Sequence, residues 1–349
     1  MSRVEDAARP TAPLNVRGAA AVAKDGNVQE VELTTVSGAG WAGEPASSAA
    51  PAGPSKSKPV SASINFLNTI VGAGIIGIPY AISRTGFVFG VFSLLLTAGL
   101  TAKTVKTIVR LSIVTNTDTY ASLCRYSLGS SGVKLVNIFT FLLAAGAMIA
   151  YFIIIGDTLP PILHMDRYLA ILVFGFTIMY PLTMCRDVSM LVKTSFLSIL
   201  SDVIICIIIM AHSPIEEKMR ESGGFGEVVA SSVIKPKTVF AGLSTILFAF
   251  VCHHSTFLIY NSLKDKSKWN CVTNASVWVA AALCAMLGIS GYLGFLDETK
   301  GDVLNNFPED DGVMQFARLL LAVTMVSRAQ LIANWRRAGR LRWWYLSRF

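Results

Sequence analysis

From Pro59 onward the chain alternates long apolar stretches with short polar ones. Eight apolar segments can be drawn, at about 62–83, 87–108, 133–159, 168–185, 188–212, 238–260, 272–296 and 313–327. Most reach the ~20 residues that a helix needs to cross a ~30 Å hydrocarbon core. Backbone polar groups in lipid must be satisfied internally, so only helices or closed barrels span a bilayer, and continuous apolar runs exclude the alternation of barrel strands. The fourth segment is short enough to be tilted or interfacial, and the eighth stops at Val326-Ser327-Arg328. The pattern predicts an all-α integral membrane protein with about eight transmembrane helices.

Composition agrees with this pattern. Of 349 residues, 53% are hydrophobic and 15% charged, against roughly 25% charge in an ordinary soluble domain. The mean hydropathy is +0.55. These values exclude a soluble enzyme, a nucleic-acid-binding domain and a disordered chain. The net charge of +8 is local: residues 327–349 hold six Arg and no acid, and the rest of the chain carries only +2. Nothing in that distribution marks a nucleic-acid partner. The six cysteines stand singly, without metal-ligand or disulfide spacing, and read as packing residues.

Three regions follow. Residues 1–58 are rich in Ala, Pro, Gly and Ser, lack the apolar core of a signal peptide, and read as a disordered tail. Residues 59–326 form the membrane domain, and 327–349 a basic, Trp/Arg-rich end. With eight spans and a cytosolic N-terminus, one face collects sixteen Lys and Arg against eight on the other, before the last tail adds six. That asymmetry places the N-terminus in the cytosol. The single sequon, Asn274-Ala275-Ser276, then falls on the cytosolic side and reads as unused.

Within the first span, Gly72, Gly74 and Gly77 spell a dinucleotide-binding fingerprint, but the required strand and the acid ~20 residues on are missing. Three Gly and Pro79 within eight residues instead predict a broken transmembrane helix. Freed N–H and C=O groups at membrane depth can hold a substrate carboxylate and a cation. Close packing of small residues is the alternative reading. In the sixth span, Phe248-Ala249-Phe250-Val251-Cys252-His253-His254-Ser255-Thr256 places polar groups among aromatics. Adjacent histidines cannot share a helix face, so this is either a mirrored site or a packed polar patch. Asp202 is an acid near mid-span, a costly position that reads either as a proton-linked carboxylate or as one paired with Ser198 or Ser201.

Over roughly 60–325 the chain resembles the amino acid/auxin permease family, in its branch of sodium-coupled neutral and fungal vacuolar amino acid transporters. The resemblance rests on Asn68-Thr-Ile-Val-Gly-Ala-Gly-Ile-Ile-Gly-Ile-Pro79 and Phe248-Ala-Phe-Val-Cys-His-His254. Phe257-Leu-Ile-Tyr-Asn-Ser-Leu263 and Phe316-Ala-Arg-Leu-Leu320 support it. It implies an eleven-span fold with two inverted repeats and substrate held between broken spans one and six. By resemblance, the backbone at Gly72, Ala73, Gly74 and Ile75 holds the amino acid. Phe248, Ala249, Phe250 and His253 line the facing wall, and Asn68 and Thr324 serve a cation.

Two stretches depart from the family pattern. Ser255 and Thr256 follow the paired histidines where many members have Asn. After Met325 the chain leaves the family's hydrophobic continuation, and the end is expected to be a frameshift or read-through product, with an interfacial helix anchored by Trp343 and Trp344 as the alternative. The resulting expectation is a secondary active transporter, not an enzyme. It would move neutral L-amino acids by alternating access, use no cofactor beyond a coupling H+ or Na+, and sit in the vacuolar membrane or, second, the plasma membrane. A non-transporting sensor with the 1–58 tail as its output, or an inactive truncated relative, is the alternative.

Overall fold

The computed structural model describes residues 22–24, 27–29, 57–181 and 188–328. The chain divides into two units, Met1–Pro51 and Ala52–Phe349. In the first, Val22–Lys24 and Asn27–Gln29 pair antiparallel, Val22 opposite Gln29 and Lys24 opposite Asn27. The intervening Asp25-Gly26 is a sequence favoured in tight hairpins. Residues 1–21, 25–26 and 30–56 of the expected tail, and residues 329–349 with Trp343 and Trp344, lie outside the described residues.

The second unit is built of helices. Its first span is in two pieces, α1 (Pro59–Ile70) and α2 (Ile78–Thr85), joined by a 3₁₀ turn over Ala73–Gly77 and bent by 48°. Pro59 and Pro79 each sit in the first turn of a helix, where the missing N–H has no helical partner to lose. Helix α3 (Phe87–Val114) follows after Gly86, whose φ of +93° is readily adopted only by glycine. Helix α4 (Tyr120–Thr158) opens with a reciprocal cap between Thr119 and Ser122. Helix α5 (Arg167–Phe174) is capped by Asp166, which accepts from the Tyr168 N–H at 2.9 Å. Then come α6 (Val188–His212), α7 (Val239–Ala249), α8 (Thr256–Ser262), α9 (Trp269–Phe295) and α10 (312–328).

Among the described residues, five helices are long and apolar enough to cross a membrane, or six if the bent pair counts as one span. Sequence reading drew eight. The fourth segment forms a shorter apolar helix, Arg167–Thr177, and extends beyond the described residues, and the eighth is helical over 312–328, where the described residues end. The long helices leave Phe92, Leu96, Phe139, Leu142 and Phe240 exposed, a pattern that requires lipid rather than water.

Helix α9 is the packing centre. Its Gly288 and Gly291 admit Ile78 and Pro79, and a Cβ at Gly291 would sit 2.7 Å from the Pro79 ring. Gly242 of α7 does the same for α2, lying so close that a Cβ would be 2.5 Å from the Ala81 carbonyl oxygen. Small residues thus draw α2, α7 and α9 together and hold both interrupted spans side by side.

Candidate functional site

The two helix breaks meet. In the first, Val71 and Gly72 leave helical geometry, Gly72 being extended at φ −91°, ψ −161°. In the second, α7 ends at Ala249, Phe250 to Cys252 run irregularly, and a 3₁₀ turn over His253–Ser255 restarts the chain into α8. A Cβ on Gly74 would lie 2.8 Å from both Cα and Cβ of Ala249, so only glycine permits this contact.

A cavity of about 80 Å³ opens beside that contact. Of the residues expected to bind, it is lined by Asn68, Gly72, Gly74, Phe248 and Ala249. Ile75 is buried behind it, and Ala73 begins the 3₁₀ turn. The first N–H groups of a helix have no intrahelical carbonyl, so the turn that starts at Ala73 presents donors at this depth. Phe250 is buried outside the lining and donates its N–H to Leu247 O at 3.2 Å. His253 turns to α3, where its Nε2 shares a 2.7 Å hydrogen bond with Thr104 Oγ1. His254, its neighbour, lines the cavity with Ser255.

The expected cation residues are separate. Asn68 donates from Nδ2 to Ser195 Oγ of α6 at 3.1 Å, while its buried Oδ1 has no partner among the described residues. Thr324 is fully buried on α10, donates to Leu321 O at 2.7 Å and is not in the cavity wall. Asp202 of α6 is paired with neither Ser198 nor Ser201. Its carboxylate accepts from the Arg328 guanidinium on α10, and both side chains are about 2% exposed. Arg328 also lines the cavity, with Tyr151 and Thr140 of α4.

Tyr151, Ser195 and Arg328 thus join the site without having been singled out beforehand, and His254 takes the place expected of His253. Arg328 marked the end of an apolar run in the sequence, and nothing local to it indicated a partner 126 positions away.

A second, polar cavity of about 1070 Å³ lies among Asp157, His164, Arg167, Lys300, Glu309 and Arg318. Arg167 bridges Asp157 at 2.7 Å. The buried Arg318, from the motif that opens α10, donates to the carbonyls of Leu304 and Phe307 at 3.1 Å and of Pro308 at 3.2 Å, fastening the 299–311 loop. In that loop, burial pushes the Asp302 carboxyl up to about 6, against the Leu304 N–H that it accepts at 2.9 Å.

Residues 55–334 match the family described as transmembrane amino acid transporter protein. Sodium-coupled neutral amino acid transporter 11 of Mus musculus is 30% identical over 285 residues, covering 78% of this chain and 62% of the relative. Vacuolar amino acid transporter 2 of Saccharomyces cerevisiae is 32% identical over 279 residues, covering 76% and 58%. The Danio rerio transporter 11 is 32% identical over 281 residues, covering 76% and 61%. The chain spans about three fifths of the length of these relatives.

Proposed function

The chain belongs to the transmembrane amino acid transporter protein family, and we propose that it is a secondary active transporter of neutral L-amino acids working by alternating access. The observation that carries this reading is the meeting of two interrupted helices, at Gly74 and Ala249, beside a cavity at the depth of their breaks. Such breaks release backbone donors and acceptors only where they face protein or a wet cavity, and transporters use them to hold zwitterions. The amides at Ala73 and Gly74 take the substrate's carboxylate end, since the Gly72 and Ile75 N–H groups already donate to Ile70 O at 2.8 Å and Gly72 O at 3.2 Å. Phe248, Ala249 and His254 form the facing wall.

Coupling is to an H+ or Na+ gradient. The unpartnered Oδ1 of Asn68 is an oxygen available to a cation, and Thr324 requires a shift of α10 before its hydroxyl joins it. The N-terminus faces the cytosol, as the Lys and Arg distribution favours. The name of the yeast relative supports a vacuolar membrane.

The test is reconstitution of the full chain in proteoliposomes with imposed pH or Na+ gradients and a radiolabelled panel of the proteinogenic amino acids. Gradient-dependent accumulation of a neutral amino acid is expected. Binding without flux selects the sensor reading, and neither binding nor flux overturns both.

A further inference from the structure

The Arg328 guanidinium has five N–H donors and donates from Nη2 to Asp202 Oδ2. Among the described residues its Nε and Nη1, which are buried, have no partner, nor has Asp202 Oδ1, although Arg328 lines the cavity. Buried donors of a charged group are expensive to leave unmade, and native structures leave few of them. These atoms are buried beside the cavity, and a guanidinium holds its donors in one plane, in forks that a carboxylate matches.

Charge decides which carboxylate fits. Arg328 and Asp202 sum to zero, and a zwitterionic amino acid adds zero. An acidic amino acid would bring one uncompensated negative charge into a site whose lining, among the described residues, holds no second cationic Lys or Arg, and a basic one an uncompensated positive charge into a lining without a carboxylate of its own. Either is far costlier than any hydrogen bond it could gain.

We infer that Arg328 is a side-chain anchor for the α-carboxylate of the substrate, opposite the amides of the first break, and that the Asp202 counter-charge restricts the site to amino acids of zero net charge. This rests on the transport reading and assigns a specificity residue to it. The substrate is then gripped from three elements, the 3₁₀ turn at Ala73–Gly77, the end of α7 and α10. Arg328 has to be present, paired and deprotected on one edge for the grip to form. Asp202 positions the guanidinium without touching the ligand.

The experiment is equilibrium binding to the purified full chain with L-alanine, L-alaninamide and L-aspartate as probes. Wild-type protein is expected to bind L-alanine and to reject the other two by about tenfold or more. Arg328→Lys, which keeps the ion pair and the fold, is expected to weaken L-alanine by about tenfold and leave L-alaninamide unchanged. The paired change Asp202→Asn with Arg328→Gln removes both charges and is expected to erase the preference for L-alanine over its amide. Asp202→Asn alone is expected to raise the affinity for L-aspartate, a gain that a merely structural role would not produce. Wild-type binding of L-aspartate as tight as that of L-alanine overturns the charge restriction. An unchanged alanine-to-amide preference in a folded Arg328→Lys or paired variant overturns the anchor, while alanine binding itself leaves the transport reading standing. If no amino acid of the full panel binds wild-type protein, the transport reading falls, and the anchor with it.

Discussion

Gly74 and Ala249 meet backbone to backbone, one from each interrupted span, at a distance where a single added methyl would have to occupy the same space as the Ala249 Cα. The contact fixes the separation of the two breaks, and so the width of the cavity between them. Whatever moves in a transport cycle must either slide past this point or pivot on it.

Substituting Gly74 with Ala is therefore expected to abolish uptake and lower stability by about 1–3 kcal/mol, the cost of overpacking against backbone that cannot yield cheaply. Gly99→Ala on α3 is the control, because no atom lies within 4 Å of its added Cβ. There the change removes backbone freedom from a helix and is expected to be neutral or stabilising by up to about 1 kcal/mol. Proteoliposome uptake and thermal unfolding in detergent check both.

The buried pair calls for a double-mutant cycle. Either Arg328→Gln or Asp202→Asn leaves one charge stranded about 2% exposed, with an expected loss of roughly 3–5 kcal/mol. Removing both is expected to cost much less than the sum, since neutral side chains carry no desolvation debt. Additive losses in the unfolding measurements would mean that the two groups are not a pair in solution.

Asp302 gives a pH dependence with a defined sign. Its folded carboxyl is raised from 3.8 to about 6 by burial, so the folded state binds the proton more tightly than the unfolded chain. Its contribution is favourable at acid pH and is lost as pH rises from about 4 through about 6, a change on the order of 2–3 kcal/mol. Asp302→Asn retains an acceptor for the Leu304 N–H and is expected to flatten stability over that window. A variant that unfolds with the wild-type pH profile would remove Asp302 as the cause.

Asn68 is expected to matter more to coupling than its partner. Ser195→Ala removes one hydrogen bond of 3.1 Å and is expected to cost about 1 kcal/mol of stability with ion dependence intact. Asn68→Ala removes the unpartnered Oδ1 as well, and is expected to raise the half-saturating concentration of the coupling cation by about tenfold or more. Uptake measured against graded Na+ or pH distinguishes the two variants.

The first break was legible because its cause is local. Gly72, Gly74 and Gly77 lower helix propensity within one turn of each other, and Pro79 fits only near a helix start. The apolar segments were legible for the same reason, since crossing a bilayer is a constraint on composition and length alone. The second break has neither Gly nor Pro between Phe248 and Thr256. Its residues left it as either a mirrored site or a packed polar patch, the family resemblance favoured the site, and packing of α7 against α2 through Gly242 places its end on Gly74.

Which side chains enter the cavity was decided by the tertiary structure. His253 and His254 are equivalent in sequence terms, but a 3₁₀ turn rotates successive residues by a third of a circle. One ring therefore faces Thr104 and the other the cavity. Asp202 and Arg328 lie on helices 126 positions apart and appear in the sequence as an isolated acid and the close of an apolar run. A buried charge is tolerable only when another part of the chain supplies its partner, and the pairing of α6 with α10 is a property of the folded bundle. The sequence by itself determined that this chain is a membrane-spanning bundle with a weakened first helix, because those features depend on neighbouring residues. The three-sided cavity and its charged wall depend on contacts between distant segments, so packing alone could set them.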